Sequence, residues 1–544
     1  MHETQEPLVT TSSLGERNSF SKDARDKTRT LAVIGGGLAG IAAAESAARR
    51  GWNVELFEWS RVLGGRAASQ FEPKSRRWID NGQHLFLGCC TELLAMNKRL
   101  GVSDLFERYD TIPFAASGHR RWVLSASPFL PPRWQLVTAF LKNPFLSFRD
   151  RLATGLLLRK LARLDRESTD DHDSALQKPP FYAENEDSFS VNRPGKLFFS
   201  KQETFGRWLR REGASEESIE HFWSPLVYSA LSDTADAVCL FAAVKVIAQA
   251  FMSGRDAMSM YVPKCPLREI YNIESQRKLN QMGVKVHFLT RVKRLVCEQG
   301  ESAASSPSDS GNHIYSKIRS LVLADGTERC FDAFVLAVPE YRMWKFLESS
   351  SLGPLADSLG LDRYELGAIT AVHLWFDRPI LPKSQRQTAI LGGPGQWIFY
   401  GDQSFFPVEN LTFEVPPNGP GAGNVQAFYH QVIISASHRL LADEELTCKG
   451  NRILIARVME QLRSVFPETC SEKGDGAKLL HAKTTTVFDA VFSPTPEVYR
   501  FRPSQRTAIP NLALAGDWTL TNWPATLEGA VRSGLAAVEV LSEK

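Results

Sequence analysis

Residues 30–40 read T-L-A-V-I-G-G-G-L-A-G, and residues 54–58 read V-E-L-F-E. Leu31 to Ile34 are a short apolar run that stops on glycine, the pattern of a buried strand whose carboxyl end enters a tight turn. Gly35 permits that turn, Gly37 lets the backbone approach a phosphate, and Gly40 lets the helix from Leu38 to Arg50 lie close on the sheet. The first N–H groups of a helix have no partner within it and carry its positive dipole end, so the turn at Leu38 and Ala39 suits an anion. Glu58 closes the second strand where an acid accepts hydrogen bonds from an adenosine ribose. An acid after a strand is also a common solvated turn residue. Strand, glycine triplet, Ala-rich helix and second strand agree, however, and together they favour a dinucleotide-binding βαβ unit.

Two further stretches repeat this grammar. P-N-L-A-L-A-G-D-W (510–518) and P-A-T-L-E-G-A-V-R-S-G (524–534) give strand, glycine turn and small-residue helix again. Asp517, beside Gly516, sits where a turn carboxylate accepts from sugar hydroxyls, or serves only the turn itself. In the middle of the chain, a helix from Leu267 to Met282 leads into an alternating strand, Val284 to Leu289. Arg291 to Glu298 then pairs with Lys317 to Ala324 across a hairpin, whose Ser-rich tip, 302–312, is too polar to order itself. F-D-A-F-V-L-A-V-P (331–339) is apolar throughout, as a central parallel strand is.

These stretches predict an α/β protein: one Rossmann-like nucleotide domain assembled discontinuously from 30–94, 265–340 and 485–544, and a mixed α+β substrate domain from 95–264 and 341–484. Periodicity makes 95–260 mostly helical and gives strands at 367–377, 396–400 and 425–434, a mixed sheet with helices over one side.

Composition narrows the function. A net charge of +3 over 544 residues, without basic clusters interleaved with aromatics, argues against nucleic acid. Eight cysteines include no C-x-x-C pair and no spacing with histidine that suits a metal, so reduced thiols and a cytoplasmic location are expected. Residues 1–29 lack the apolar centre of a signal peptide and read as a disordered leader. No run is apolar enough to span a bilayer. Residues 128–164 mix Phe129, Trp134, Phe140, Phe148 and several leucines with Arg133, Lys142, Arg149, Arg159 and Lys160. They suit an interfacial helix pair on the inner face of a membrane, or equally a core face with solvated cations.

G-G-G-L-A-G with Glu58, L-G-G-R (63–66), D-N-G-Q-H-L-F-L-G (80–88) and A-G-D-W resemble the flavin amine oxidase and phytoene desaturase superfamily. T-F-G-R-W-L-R (204–210), F-W-S-P-L (222–226) and Y-R-F-R-P (499–503) bring the resemblance nearer to its hydroxysqualene dehydroxylase group. The likeness runs from about residue 30 to the end of the chain, and Gly36 and Leu38 depart from the commoner pattern.

The resemblance implies FAD, with Gly35, Gly37, Gly40 and Glu58 on its ADP half and Gly64, Gly65 and Arg66 at the pyrophosphate and flavin approach. Gly516 and Asp517 would hold the pyrophosphate and ribityl side, Ala525 and Thr526 would also bind the cofactor, and the Val292 backbone would meet adenine. It also implies hydride transfer from reduced flavin to hydroxysqualene with loss of water, giving squalene for hopanoids.

The departing hydroxide needs a proton, and His84 and Asp80 are the candidates to give it. A dozen buried methylenes supply roughly 10 kcal/mol of gross driving force, enough for a tunnel without polar recognition. Phe222, Trp223, Leu226, Tyr228, Trp375 and Phe399 are candidates to line it, or are ordinary core. A substrate this apolar enters from a bilayer. No second glycine fingerprint for NAD(P) stands out, so the electron donor is expected to be external. Alternatives are a carotenoid or phytoene desaturase, a flavin amine oxidase, and a non-catalytic lipid escort resembling GDP-dissociation inhibitors.

Overall fold

Leu31 and Val33 point to one side of the strand Thr30–Ile34 and Ala32 and Ile34 to the other. All four are buried, so the strand has to be covered on both faces. The computed structural model, which describes residues 28–131, 134–176, 203–298, 317–401, 412–415, 423–441, 451–470 and 476–543, places it at the centre of a five-stranded parallel sheet. The order is Lys285–His287, Asn53–Phe57, Thr30–Ile34, Ala333–Leu336, Leu512–Leu514, so three distant stretches of chain build one sheet. Most of the expected leader (1–27) and the Ser-rich tip (302–312) lie outside the described residues.

Helices Leu38–Arg49, Thr91–Leu100, Ser275–Gln281 and Leu527–Ser542 cover the Leu31–Val33 face. The other face carries the small antiparallel sheet Val292–Cys297, Ile318–Leu323, Glu328–Cys330 and the helix Glu340–Ser349. The first and last helices touch through small residues. A Cβ on Gly534 would stand 2.2 Å from the carbonyl oxygen of Ala39, which backbone cannot yield. Gly534→Ala is therefore expected to cost about 1–3 kcal/mol, read as a lower denaturant midpoint at unchanged slope.

The second layer is a seven-stranded mixed sheet, in the order Leu479–Phe492, Leu366–Phe376, Phe428–Ile434, Trp397–Gly401, Gln387–Ile390, Thr111–Ala116, Arg120–Ser125. Residues 95–260 are mostly helical, as expected, but they also give this sheet a hairpin that the helical reading did not include. Thr111–Ala116 and Arg120–Ser125 form a hairpin through Gly118 and His119, both at positive φ, with Trp122 and Leu124 buried between exposed neighbours. That alternation and turn are strand signals that the helical periodicity of the flanks obscured.

The expected domain boundaries shift as well. Position 485 falls inside the strand Leu479–Phe492, and Glu340–Ser349 packs with the parallel sheet rather than with the substrate layer.

Candidate active site

The parallel strands all end on one side, and a cavity of about 1430 Å³ begins there, against Gly35, Glu58, Ala337 and Gly516. It continues beneath the seven-stranded sheet, between Phe114, Ala389 and Ile433 on one wall and Leu226, Ile247 and Phe251 on the helices opposite. Typical small-molecule pockets measure about 300–1,000 Å³, so this one has room for a second molecule beside a cofactor.

The glycines at its mouth divide by what a side chain would strike. A Cβ on Gly35 would lie 2.3 Å from Ala337 O, on Gly40 1.8 Å from Gly35 O, and on Gly64 2.6 Å from Ala67 O, so these three let backbone approach backbone. A Cβ on Gly37 would meet nothing within 4 Å, and Gly37 lines the cavity. Gly37 is also the N-cap of Leu38–Arg49, and no side chain caps that end. The N–H groups of Leu38 and Ala39, both lining the cavity, thus lie at an open helix N-terminus. Gly64 donates its N–H to Gly36 O at 2.9 Å and brings Gly65, at φ +59°, against Gly37.

Glu58 is buried. Its Oε2 accepts the Gly36 N–H at 2.7 Å and its Oε1 accepts the Ser60 N–H at 2.8 Å, which hold the carboxylate at the strand end as an acceptor facing the cavity. Val292 lines the same end. Across the mouth, Arg66 donates to Asp517 at 2.5 Å and to the Ala490 carbonyl at 2.9 Å, joining the N-terminal and C-terminal stretches directly. Burial pulls the Arg66 guanidinium down, but Asp517 and Glu340 more than offset it, so Arg66 stays charged. Gly516, at φ +147°, donates its N–H to Ser533 Oγ. Thr526 caps Leu527–Ser542 by accepting from Gly529 N, and Ala525 and Thr526 both line the cavity. The open helix end, the unobstructed glycine and the paired acceptors fit an ADP-containing cofactor.

His84 lines the cavity and Asp80 does not. The His84 Nδ1 lies 2.6 Å from the Gly82 carbonyl, which can only accept, so Nδ1 carries the hydrogen and Nε2 is left as the free nitrogen. Burial lowers the His84 pKa below its ordinary 6.5; the Gly82 carbonyl opposes this and the Arg66 charge reinforces it. Asp80 turns the other way. Its Oδ1 accepts from Ser69 Oγ at 2.6 Å and from the Leu267 N–H at 2.9 Å, fixing the hairpin Ser69–Asp80 to the start of the distant helical segment Arg268–Glu274. Burial raises the Asp80 carboxyl to about 7 against those two bonds. Its catalytic assignment is corrected to a structural one, because strand alternation turns its side chain into the protein body.

Of the expected lining residues, Leu226 and Phe399 face the cavity. Phe222, Trp223 and Trp375 do not; they are core, packed against Phe140, Phe205 and His481 respectively. Tyr228 also falls outside the cavity. On Ser224–Leu231 the cavity side is Pro225, Leu226, Ser229 and Ala230, spaced three and four residues apart, and Tyr228 lies on another face. The expectation missed Tyr341 and Arg342, which line the mouth just beyond Pro339, with Arg342 stacked 4.9 Å over Trp59. Their signal was the end of a parallel strand, where ligands of such sheets gather.

Comparison with known proteins agrees with this geometry. A family model described as flavin containing amine oxidoreductase matches residues 38–542. The hydroxysqualene dehydroxylase of Zymomonas mobilis is 26% identical over 93% of this chain and 98% of its own length. The zeta-carotene desaturase of Synechocystis sp. is 22% identical over 94% and 96%. Among solved structures, an oxidoreductase from Methanosarcina mazei superposes with TM-score 0.61 at 16% identity, covering 95% of this chain and all of that one (100%). A putrescine oxidase variant superposes with TM-score 0.62 at 12% identity, covering 95% and 99%. At these identities the structures speak for the fold.

Proposed function

This chain belongs to the flavin containing amine oxidoreductase family, and from that premise we propose that it reduces hydroxysqualene to squalene. It is an FAD-dependent oxidoreductase, and its curated relatives are named for isoprenoids. The observation that carries the finer reading is that one cavity runs from the glycine turns, Glu58 and Arg66 at its mouth to a depth walled by Phe114, Leu226, Ile247, Phe251 and Phe399. A chain-like hydrocarbon is what such walls recognise, because burial alone supplies the binding energy.

In this reading Gly37, Leu38, Ala39, Glu58 and Val292 hold the ADP half of FAD, and Gly65, Arg66, Gly516, Asp517, Ala525 and Thr526 hold the rest. Bound there in its reduced form, FAD would supply the hydride equivalent for the new C–H bond, and a protein group would have to supply the proton with which the hydroxide leaves as water. His84, the titratable group of the D-N-G-Q-H loop facing the cavity, presents Nε2 to that hydroxyl and delivers the proton as imidazolium. The apolar walls keep bulk water from the reacting carbon. The electrons for the flavin would come from an external donor.

The Synechocystis relative supports a second reading, oxidative desaturation of a carotene in the same cavity. Dithionite-reduced protein mixed anaerobically with hydroxysqualene is expected to yield squalene by mass spectrometry, with stoichiometric reoxidation of the flavin. Oxidised protein that instead desaturates phytoene or zeta-carotene, with no squalene from the reduced form, would replace the first reading by the second.

A further inference from the structure

The segment 128–164 resolves into a buried side and a bare one. Leu136, Phe140, Phe145, Leu146, Leu157, Leu158 and Leu161 are core. Phe129, Trp134, Val137, Leu141, Phe148, Leu152 and Leu156 are not: Phe129 is 92% exposed, Phe148 66% and Leu156 60%. The exposed residues form two rows. Val137 and Leu141 are four apart on the helix Val137–Leu141, and Phe148, Leu152 and Leu156 are four apart on the helix that begins at Phe148. The rows are tied side by side. Arg151 donates to the Leu141 carbonyl at 2.6 Å, and the Arg159 guanidinium lies 5.0 Å over the Trp134 ring. Scattered apolar residues are normal on a soluble surface, whereas a continuous double row is not.

We infer that this double row is a docking face for an anionic lipid surface, into which Phe129, Trp134, Leu141, Phe148, Leu152 and Leu156 insert. Charge complementarity selects that occupant. Lys142, Arg149, Arg159 and Arg166 are exposed on the same stretch; Lys160 and Arg163, also exposed, are paired with Glu212 and Glu167, and Asp150 and Asp165 are buried. A cationic rim around an apolar, Trp-bearing face matches the headgroup and acyl layers of such a bilayer in order. A second copy of the same face would set these cations against each other.

The face also lies against the cavity. Gln135 donates to the carbonyls of Phe251 and Gly254 at 3.2 and 3.0 Å, and Lys245 meets Asp165 in a buried pair at 2.7 Å. Both anchors sit on or just past the helix Leu240–Met252, whose Val246, Ile247, Ala250 and Phe251 wall the cavity. Docking would thus set the apolar depth of the cavity one helix away from lipid, which deepens the reading of an apolar substrate and rests on it only for its purpose.

The test is sedimentation of the FAD-loaded full chain with vesicles of phosphatidylcholine alone or mixed with phosphatidylglycerol. Binding is expected to the mixed vesicles, to weaken with salt, and to fall at least about tenfold in Leu152→Glu/Leu156→Glu, whose exposed sites leave folding untouched. The variant should keep wild-type turnover on detergent-dispersed substrate and lose it on vesicle-embedded substrate. Turnover in detergent reports on the proposed reaction and sedimentation reports on the docking face, so either can fail alone. Wild-type protein that ignores the mixed vesicles, or a variant that binds them equally, overturns the inference. So does a dimer that this variant dissolves without any change in lipid binding.

Discussion

Gly37→Leu is expected to yield a folded, colourless protein. Gly37 is at φ −72°, a conformation open to any residue, and a Cβ there touches no atom of the protein, so the substitution adds neither backbone strain nor a clash. The added side chain instead occupies cavity space in front of the open N-terminus of Leu38–Arg49, where an anion would stand. Excluding a phosphate from that contact is expected to weaken FAD binding at least about 100-fold, near 3 kcal/mol, with the far-UV spectrum and apoprotein unfolding midpoint unchanged. Gly40→Ala is the contrast. Its Cβ would lie 1.8 Å from the Gly35 carbonyl, so it should lower stability and flavin content together. Titrating both apoproteins with FAD by flavin fluorescence checks the pair. Full FAD affinity in Gly37→Leu would mean that the cofactor does not pass over this turn.

The parallel sheet was legible because each of its main strands carries its own punctuation: Ile34 stops on Gly35, Leu336 is followed by Pro339, and Leu514 by Gly516. What lies between was harder to read. Thr111–Ala116 and Arg120–Ser125 are short strands inside a helical neighbourhood, where a local window averages the two periods. Leu479–Phe492 carries polar residues along a half-buried sheet edge and so lacks an apolar run, although its Thr484 to Val487 stretch is β-branched throughout. At the site the motif named the right loop but not the direction of its side chains. Asp80 and His84 are four residues apart in one motif, yet one is turned into the body and the other into the cavity, because a strand ends and the chain turns between them. Phe222, Trp223 and Trp375 failed for a related reason: large aromatics are what any core of this size needs.

Glu340 is a residue that no motif announced. It is buried, and burial raises its carboxyl to about 7, with the Arg66 charge opposing and Asp517 reinforcing the shift. Arg66 therefore stands between two carboxylates, of which Asp517 alone bonds to it directly. This arrangement keeps the guanidinium fixed at the mouth, with Arg66 and Asp517 a neutral pair whenever Glu340 is protonated and the three groups carrying one net negative charge when it is ionised.

The protonation of His84 separates the two proposed reactions. Its lowered pKa means that the imidazolium population falls about tenfold for each pH unit above that value, and neutral imidazole predominates near pH 7. If His84 supplies the proton that carries hydroxide away, kcat/KM for hydroxysqualene must rise as pH falls and level off only below the lowered pKa, under 6.5. His84→Asn should remove this limb and reduce turnover by roughly 100-fold or more, with FAD affinity unchanged. Desaturation makes the opposite demand. There a group near the flavin must take a proton, and the Nε2 left bare by the Gly82 bond suits that role only when neutral, so activity would be lost as pH falls. Because one nitrogen serves both cases, the slope of a single pH profile, measured under pre-steady-state conditions with reduced and oxidised flavin in turn, separates them. A profile that His84→Asn leaves unaltered in either direction removes His84 from the proton's path.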